Sequence, residues 1–141
     1  LIGKELTIVN KVSAGSFVYM SSRVGGTLPM HASATGKCVL AWLPAEQRAE
    51  LLEECDFKRY TDSTITDKAA LESELSVTRV RGYALDDGET HDGLYCIGCP
   101  VLDAAGDILA AVSVSGSRAA LESQLDAVVN SIRNSLKNIG I

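Results

Sequence analysis

No apolar run in this 141-residue chain reaches the roughly 18 residues that a membrane-spanning helix needs, so nothing in it reads as a transmembrane segment. Positive charge is also in short supply. Thirteen Lys and Arg face eighteen Asp and Glu, for a net charge of −5. An acidic domain of this size is a poor binder of DNA or RNA on its own. Cysteine, with four residues, is too sparse for a disulfide scaffold, and the compartment that fits is reducing, hence cytoplasmic. No signal peptide is visible. The chain opens at Leu1 rather than Met, directly in strand-like sequence, which leads us to expect a piece cut from a longer protein. What is present is core: 46% hydrophobic and 22% charged residues, enough for one compact domain.

Patterning along the chain predicts strands, then helices, then strands, then a helix. Residues 5–11 and 16–22 are rich in Ile, Val, Phe and Tyr and flank Ala14-Gly15, which reads as a hairpin. Residues 24–29 continue as an irregular strand or turn. Ser33 suits the cap of a helix from Ala34 to Trp42, and Pro44 the first turn of a second, with Leu51 and Leu52 buried. Residues 56–66 form a polar loop. Asp67 caps a third helix whose Ala70, Leu71, Leu75 and Thr78 share a face, and Gly82 stops it. A short strand over 83–86 is followed by a loop over 87–93. Strands at 94–102 and 108–115 meet at the turn 103–106. Leu121, Leu125, Val128, Ile132, Leu136 and Ile139 mark one long amphipathic helix. The order argues for an α+β domain with a mostly antiparallel sheet.

Strand alternation points to a site. In 108–115, Ile108, Ala110, Val112 and Val114 take one face, and Leu109, Ala111, Ser113 and Ser115 the other. The two serines lie about 7 Å apart along the strand. In 94–99, Cys96 and Gly98 share a face, and Gly98 leaves room above the sheet. If the strands adjoin, Asp86, Cys96, Ser113 and Ser115 line a small polar cavity that suits a ligand of a few atoms. An exposed strand with ordinary surface serines is the competing reading. The start of the helix at Ala34-Thr35-Gly36 offers unpaired N–H groups to a carboxylate or phosphate, or is simply a capped helix. It is not a Walker loop, because His31 and Cys38 stand where that motif needs Gly and Ser or Thr.

Other chemistry reads less well. Cys96-x-x-Cys99 lies in a strand, where its side chains face opposite ways, too far apart for a disulfide. Each cysteine reads as a small buried hydrophobe, with Cys96 offering a weak S–H donor. His31, His91, Glu89 and Asp92 match no metal spacing, and 89–92 reads as a solvated loop. Two alternatives stay open: a zinc-binding sensor using His31, Cys96 and acidic loop residues, and a thiol hydrolase built on Cys96.

Four segments, in order, resemble the IclR family of bacterial transcription factors. These are Leu28-Pro29-Met30-His31-Ala32-Ser33-Ala34-Thr35-Gly36-Lys37, then Tyr60-Thr61 with Thr64-Ile65-Thr66, then Arg81 to Asp86 with Gly93 to Ile97, and Ala111 to Gly116. The chain departs from the family pattern at Gly88-Glu89, where two acids are usual, at Gly98-Cys99, and at Ser117. The resemblance implies a GAF-like effector-binding domain over 1–141, without the family's N-terminal winged helix-turn-helix, and no catalysis. It implies a regulator that binds operator DNA through that absent domain, works as a dimer or tetramer, and needs no cofactor or metal. Its effector would be a small carboxylate held by Ala34, Thr35, Gly36, Asp86, Cys96, Ser113 and Ser115, with Met20, Leu94 and Gly98 lining the pocket. The carboxylate oxygens are expected on the N–H groups of Ala34, Thr35 and Gly36. A hydroxyl or hydrated carbonyl on the same ligand would face Asp86, so a 2-oxo or 2-hydroxy acid is the expected effector.

Overall fold

The computed structural model describes residues 1–13 and 22–140. Helices α1 (Ala34–Trp42), α2 (Ala45–Glu53) and α3 (Lys68–Arg81) precede strands β1 (Ala84–Asp87), β2 (Leu94–Leu102) and β3 (Ile108–Ser117). A short α4 (Arg118–Leu121), a 3-10 turn (Glu122–Gln124) and α5 (Leu125–Asn138) follow. The strands form an antiparallel sheet in the order β1-β2-β3, so the domain is α+β as the pattern predicts. The second arm of the expected hairpin, and Met20 with it, falls outside the described residues. The first arm pairs with the segment expected to be irregular: Leu28 N donates to Leu6 O at 3.0 Å and Ile8 N to Gly26 O at 2.9 Å.

Two apolar cores sandwich the sheet. On one face α1 lies against all three strands and against α3, with Leu40, Leu71 and Leu75 buried between the helices. Leu52 of α2 joins that core, whereas Ala70 is exposed and lies off the buried stripe of Leu71, Leu75 and Thr78. On the other face Val129 and Ile132 of α5 cover Tyr95, Ile97 and Cys99.

The C-terminal helix is not one piece. Ser117 Oγ caps α4 by accepting from Ala120 N at 3.3 Å, and Gln124 Nε2 donates to Ala120 O at 3.1 Å. The tighter 3-10 turn re-aims the chain so that both Leu121 and Leu125 reach the β2 core. Strand β3 also departs from plain alternation. A bulge shifts its register between Val101 and Leu102, so Val101 faces Ala110 but Leu102 faces Ile108. Leu109 is the extra residue, and Ile108 swings to the face of Ala111, where it packs on the α1–α3 core.

Candidate functional site

The strand register assembles a polar row. Asp86 pairs with Cys96 and Cys96 with Ser115, while Ala84 pairs with Gly98 and Gly98 with Ser113. Directly paired residues point to the same side of a sheet. Asp86, Cys96 and Ser115 therefore cross three strands in one line, with Ser113 one step away, on the face that α1 covers. Ala34 of α1 packs directly on Cys96 and Leu94. The row grades from buried to open: Asp86 is 1% exposed and Cys96 6%, whereas Ser113 and Ser115 are exposed. Cys99 faces the α5 core, so the two cysteines of 96–99 do point apart. All four cysteines are free.

Three expectations need correction. Gly98 does not leave room above the sheet: a Cβ there would sit 2.9 Å from the carbonyl carbon and oxygen of Ala34, so the helix itself fills the space. Gly36 does not offer its N–H to a ligand, because Ser33 Oγ accepts from it at 3.1 Å while donating to Pro29 O at 2.6 Å. Gly36 is needed for packing instead, since a Cβ would meet the Met30 backbone at 2.5 Å. The N–H groups of Ala34 and Thr35 remain as first-turn donors. Asp86, finally, is occupied. Its Oδ1 accepts from Glu89 N at 2.8 Å and Thr90 N at 3.2 Å, and its Oδ2 accepts from Thr90 Oγ1. The carboxylate holds the 87–93 loop in place.

That loop is less solvated than its composition suggests. Glu89 is 7% exposed and forms a buried ion pair with Lys37, itself 1% exposed. Glu74 Oε1 approaches the same ammonium at 4.0 Å and also binds Arg81 Nη2 at 2.6 Å. Burial pushes the Glu89 carboxyl up to about 7, against the pull of Lys37, and its Oε2 has no hydrogen-bond partner. Sequence patterning missed this pair. A lysine on a capped helix reads as surface, and here it is buried between Glu89 of the 87–93 loop and Glu74 of α3. Thr61 and Thr64 clamp the loop from outside, donating to Gly88 O and Glu89 O, each at 2.6 Å.

The two alternatives lose their geometry. Burial pushes the Cys96 thiol up to about 12, although the Ser115 hydroxyl bonded to it pulls the other way. At neutral pH Cys96 is a protonated thiol, not a nucleophile. His31 does not turn to Cys96: its Nε2 lies 2.9 Å from Lys58 O and its Nδ1 3.7 Å from Cys55 Sγ.

Comparison with known proteins identifies the family. The sequence pattern of the family described as "Bacterial transcriptional regulator IclR C-terminal" matches residues 1–140. The chain is 34% identical over 144 residues to the HTH-type transcriptional repressor AllR of Klebsiella pneumoniae, covering 99% of this chain and 53% of that protein. The crystal structure of Thermotoga maritima IclR superposes with a TM-score of 0.85 at 33% identity, over 92% of this chain and 53% of that one. An IclR homolog from Microbacterium hydrocarbonoxydans, solved in complex with 4-hydroxybenzoate, superposes with a TM-score of 0.81 at 28% identity, over 92% of this chain and 54% of that one. The chain thus spans about half the length of these relatives, which are transcriptional regulators and not enzymes. The chain belongs to the IclR family of bacterial transcriptional regulators and corresponds to its C-terminal domain.

Proposed function

We propose that this domain senses a small carboxylate, held beside the start of α1 at the open end of the row, where Ser113 and Ser115 are exposed. The observation that carries the reading is the register: it sets a thiol and two hydroxyls on one face, directly below a helix N-terminus. The N–H groups of Ala34 and Thr35 supply donors and the positive end of the helix dipole to the carboxylate. Ser113 and Ser115 bind the same ligand from the sheet, and Cys96 adds a weak donor. Leu94 and Gly98 back the site, and Gly36 shapes it without touching the ligand. Asp86 acts by holding the 87–93 loop rather than by meeting the ligand. The 4-hydroxybenzoate in the Microbacterium relative is a carboxylate that also carries a hydroxyl, which supports an acid with a second polar group. A 2-oxo or 2-hydroxy acid fits the same donors.

In the cytoplasmic regulator of which this domain forms part, effector binding changes the geometry between subunits and so the grip on operator DNA, which an N-terminal helix-turn-helix supplies. Calorimetry with pyruvate, lactate, acetate and 4-hydroxybenzoate tests the site. Ser115→Ala should weaken the tightest of these by about 1 kcal/mol, roughly fivefold, and more where the hydroxyl bonds the charged carboxylate. Equal affinities for wild type, Ser113→Ala and Ser115→Ala would place the ligand elsewhere.

A further inference from the structure

We propose that His31, Cys55 and Asp56 form a binding site for a zinc-class divalent cation, separate from the carboxylate site and independent of it. His31 is 2% exposed, with its ring fixed from several sides. Its Nε2 lies 2.9 Å from the carbonyl of Lys58, which can only accept, so Nε2 carries the proton and Nδ1 presents a lone pair. This backbone contact is the supporting bond that metal-ligating histidines usually make. The rings of Phe57 and Tyr60 stand 5.6 and 5.9 Å from the imidazole and hold its plane.

The lone pair faces Cys55 Sγ at 3.7 Å. Two ligands of a tetrahedral zinc ion, one nitrogen and one sulfur at their usual bond lengths, stand about 3.6 Å apart. The pair is therefore already set at the separation that the ion requires. Asp56 brings a carboxylate oxygen to the same point, and the three ligand atoms lie within 4.8 Å of one another. Among the described residues no other His, Cys, Asp or Glu group meets that condition. The backbone is bent to achieve it. Phe57 has a φ of 45°, the one non-glycine residue with positive φ among those described. Such a conformation costs about 1–3 kcal/mol and persists only where surrounding contacts enforce it. The bend lies between Cys55, which stands at Nδ1 of the imidazole, and Lys58, whose carbonyl stands at Nε2.

An open depression of about 350 Å³ is lined by His31, Cys55, Asp56 and Tyr60, which leaves a fourth coordination position to water or a small ligand. One nitrogen, one sulfur and one oxygen suit zinc or cobalt(II), and not magnesium or calcium, which take oxygen ligands. The cation would tie the chain just ahead of α1 to the loop that carries Thr61 and Thr64, the residues that clamp Gly88 and Glu89.

The test is a titration of the 141-residue chain with Co²⁺, read by absorption, and with Zn²⁺ against a chromophoric chelator, in a phosphine reductant. One cobalt per chain should give a thiolate-to-cobalt charge-transfer band. Cys55→Ser should abolish the band and weaken zinc by more than the roughly 10–100-fold typical of a lost supporting bond. Asp56→Asn should weaken zinc less, and Cys99→Ala, on the opposite face of the sheet, should leave the band intact. Circular dichroism checks that each variant folds, and carboxylate binding by Cys55→Ser should match wild type. Absence of the band in wild type, or its survival in Cys55→Ser, would overturn the proposal.

Discussion

At Glu89 two demands collide. Its carboxylate is the counter-charge of a buried lysine, yet one of its own oxygens has no partner and burial penalises the ion. The outcome is a carboxyl raised from 4.5 to about 7. The sign of the consequence follows from proton counting. Between pH 4.5 and 7 the folded chain keeps a proton that the unfolded chain has lost, so Glu89 contributes less stability as pH rises through that window. The slope from this one group is at most about 1.4 kcal/mol per pH unit. Urea midpoints measured across the window should fall more steeply with pH in wild type than in Glu89→Gln. Parallel curves would show that Glu89 titrates normally. Lys37 limits the effect, because neutralising Glu89 leaves the ammonium with only the Glu74 carboxylate at 4.0 Å.

Among the elements, α1 is seated by two glycines, one against the chain ahead of it and one against the sheet. Gly36 lets the helix pass the Met30 backbone, and Gly98 lets its first turn rest on β2. Gly98→Ala would set a methyl 2.9 Å from the Ala34 carbonyl and push the helix outward. We expect a loss of about 1–3 kcal/mol, and a larger one for Gly36→Ala, where the obstacle is backbone at 2.5 Å. Ser113→Ala, at an exposed position, should stay within about 0.5 kcal/mol of wild type. Urea unfolding checks all three. Much of this face was legible in the sequence, because period-two alternation places Cys96 with Gly98 and Ser113 with Ser115 whatever the register. Its occupant was not: nothing local to Gly98 says that Ala34 will rest there. The bulge at Leu109 was hidden for the same reason, since an extra residue in a strand leaves the composition unchanged. The Ser33 cap was legible, but its effect on Gly36 was misjudged, because a side chain that caps a helix also consumes a donor that a ligand would need. Contacts across long separations, His31 with Cys55 and Lys37 with Glu89, had no signal in spacing at all.

For the molecule as a whole, the proposed function requires a surface for self-association outside the proposed carboxylate site. We expect the 141-residue chain to form dimers or tetramers in solution. Light scattering that shows only monomer at high concentration would contradict this. The clamp on the 87–93 loop has a further consequence, best seen in solvent exchange of amide protons. Thr64 Oγ1 accepts from the N–H groups of Tyr60 and Thr61 at 3.1 and 2.9 Å, and donates to Glu89 O. Asp86 Oδ1 accepts from the N–H groups of Glu89 and Thr90 on the far side. Four amides from two distant stretches of chain thus share one set of bonds, and none can open without loosening the others. They should exchange with deuterium as a single cooperative unit, at a rate well above that of the central strand. Thr64→Val should speed all four together while Ile97 keeps its protection.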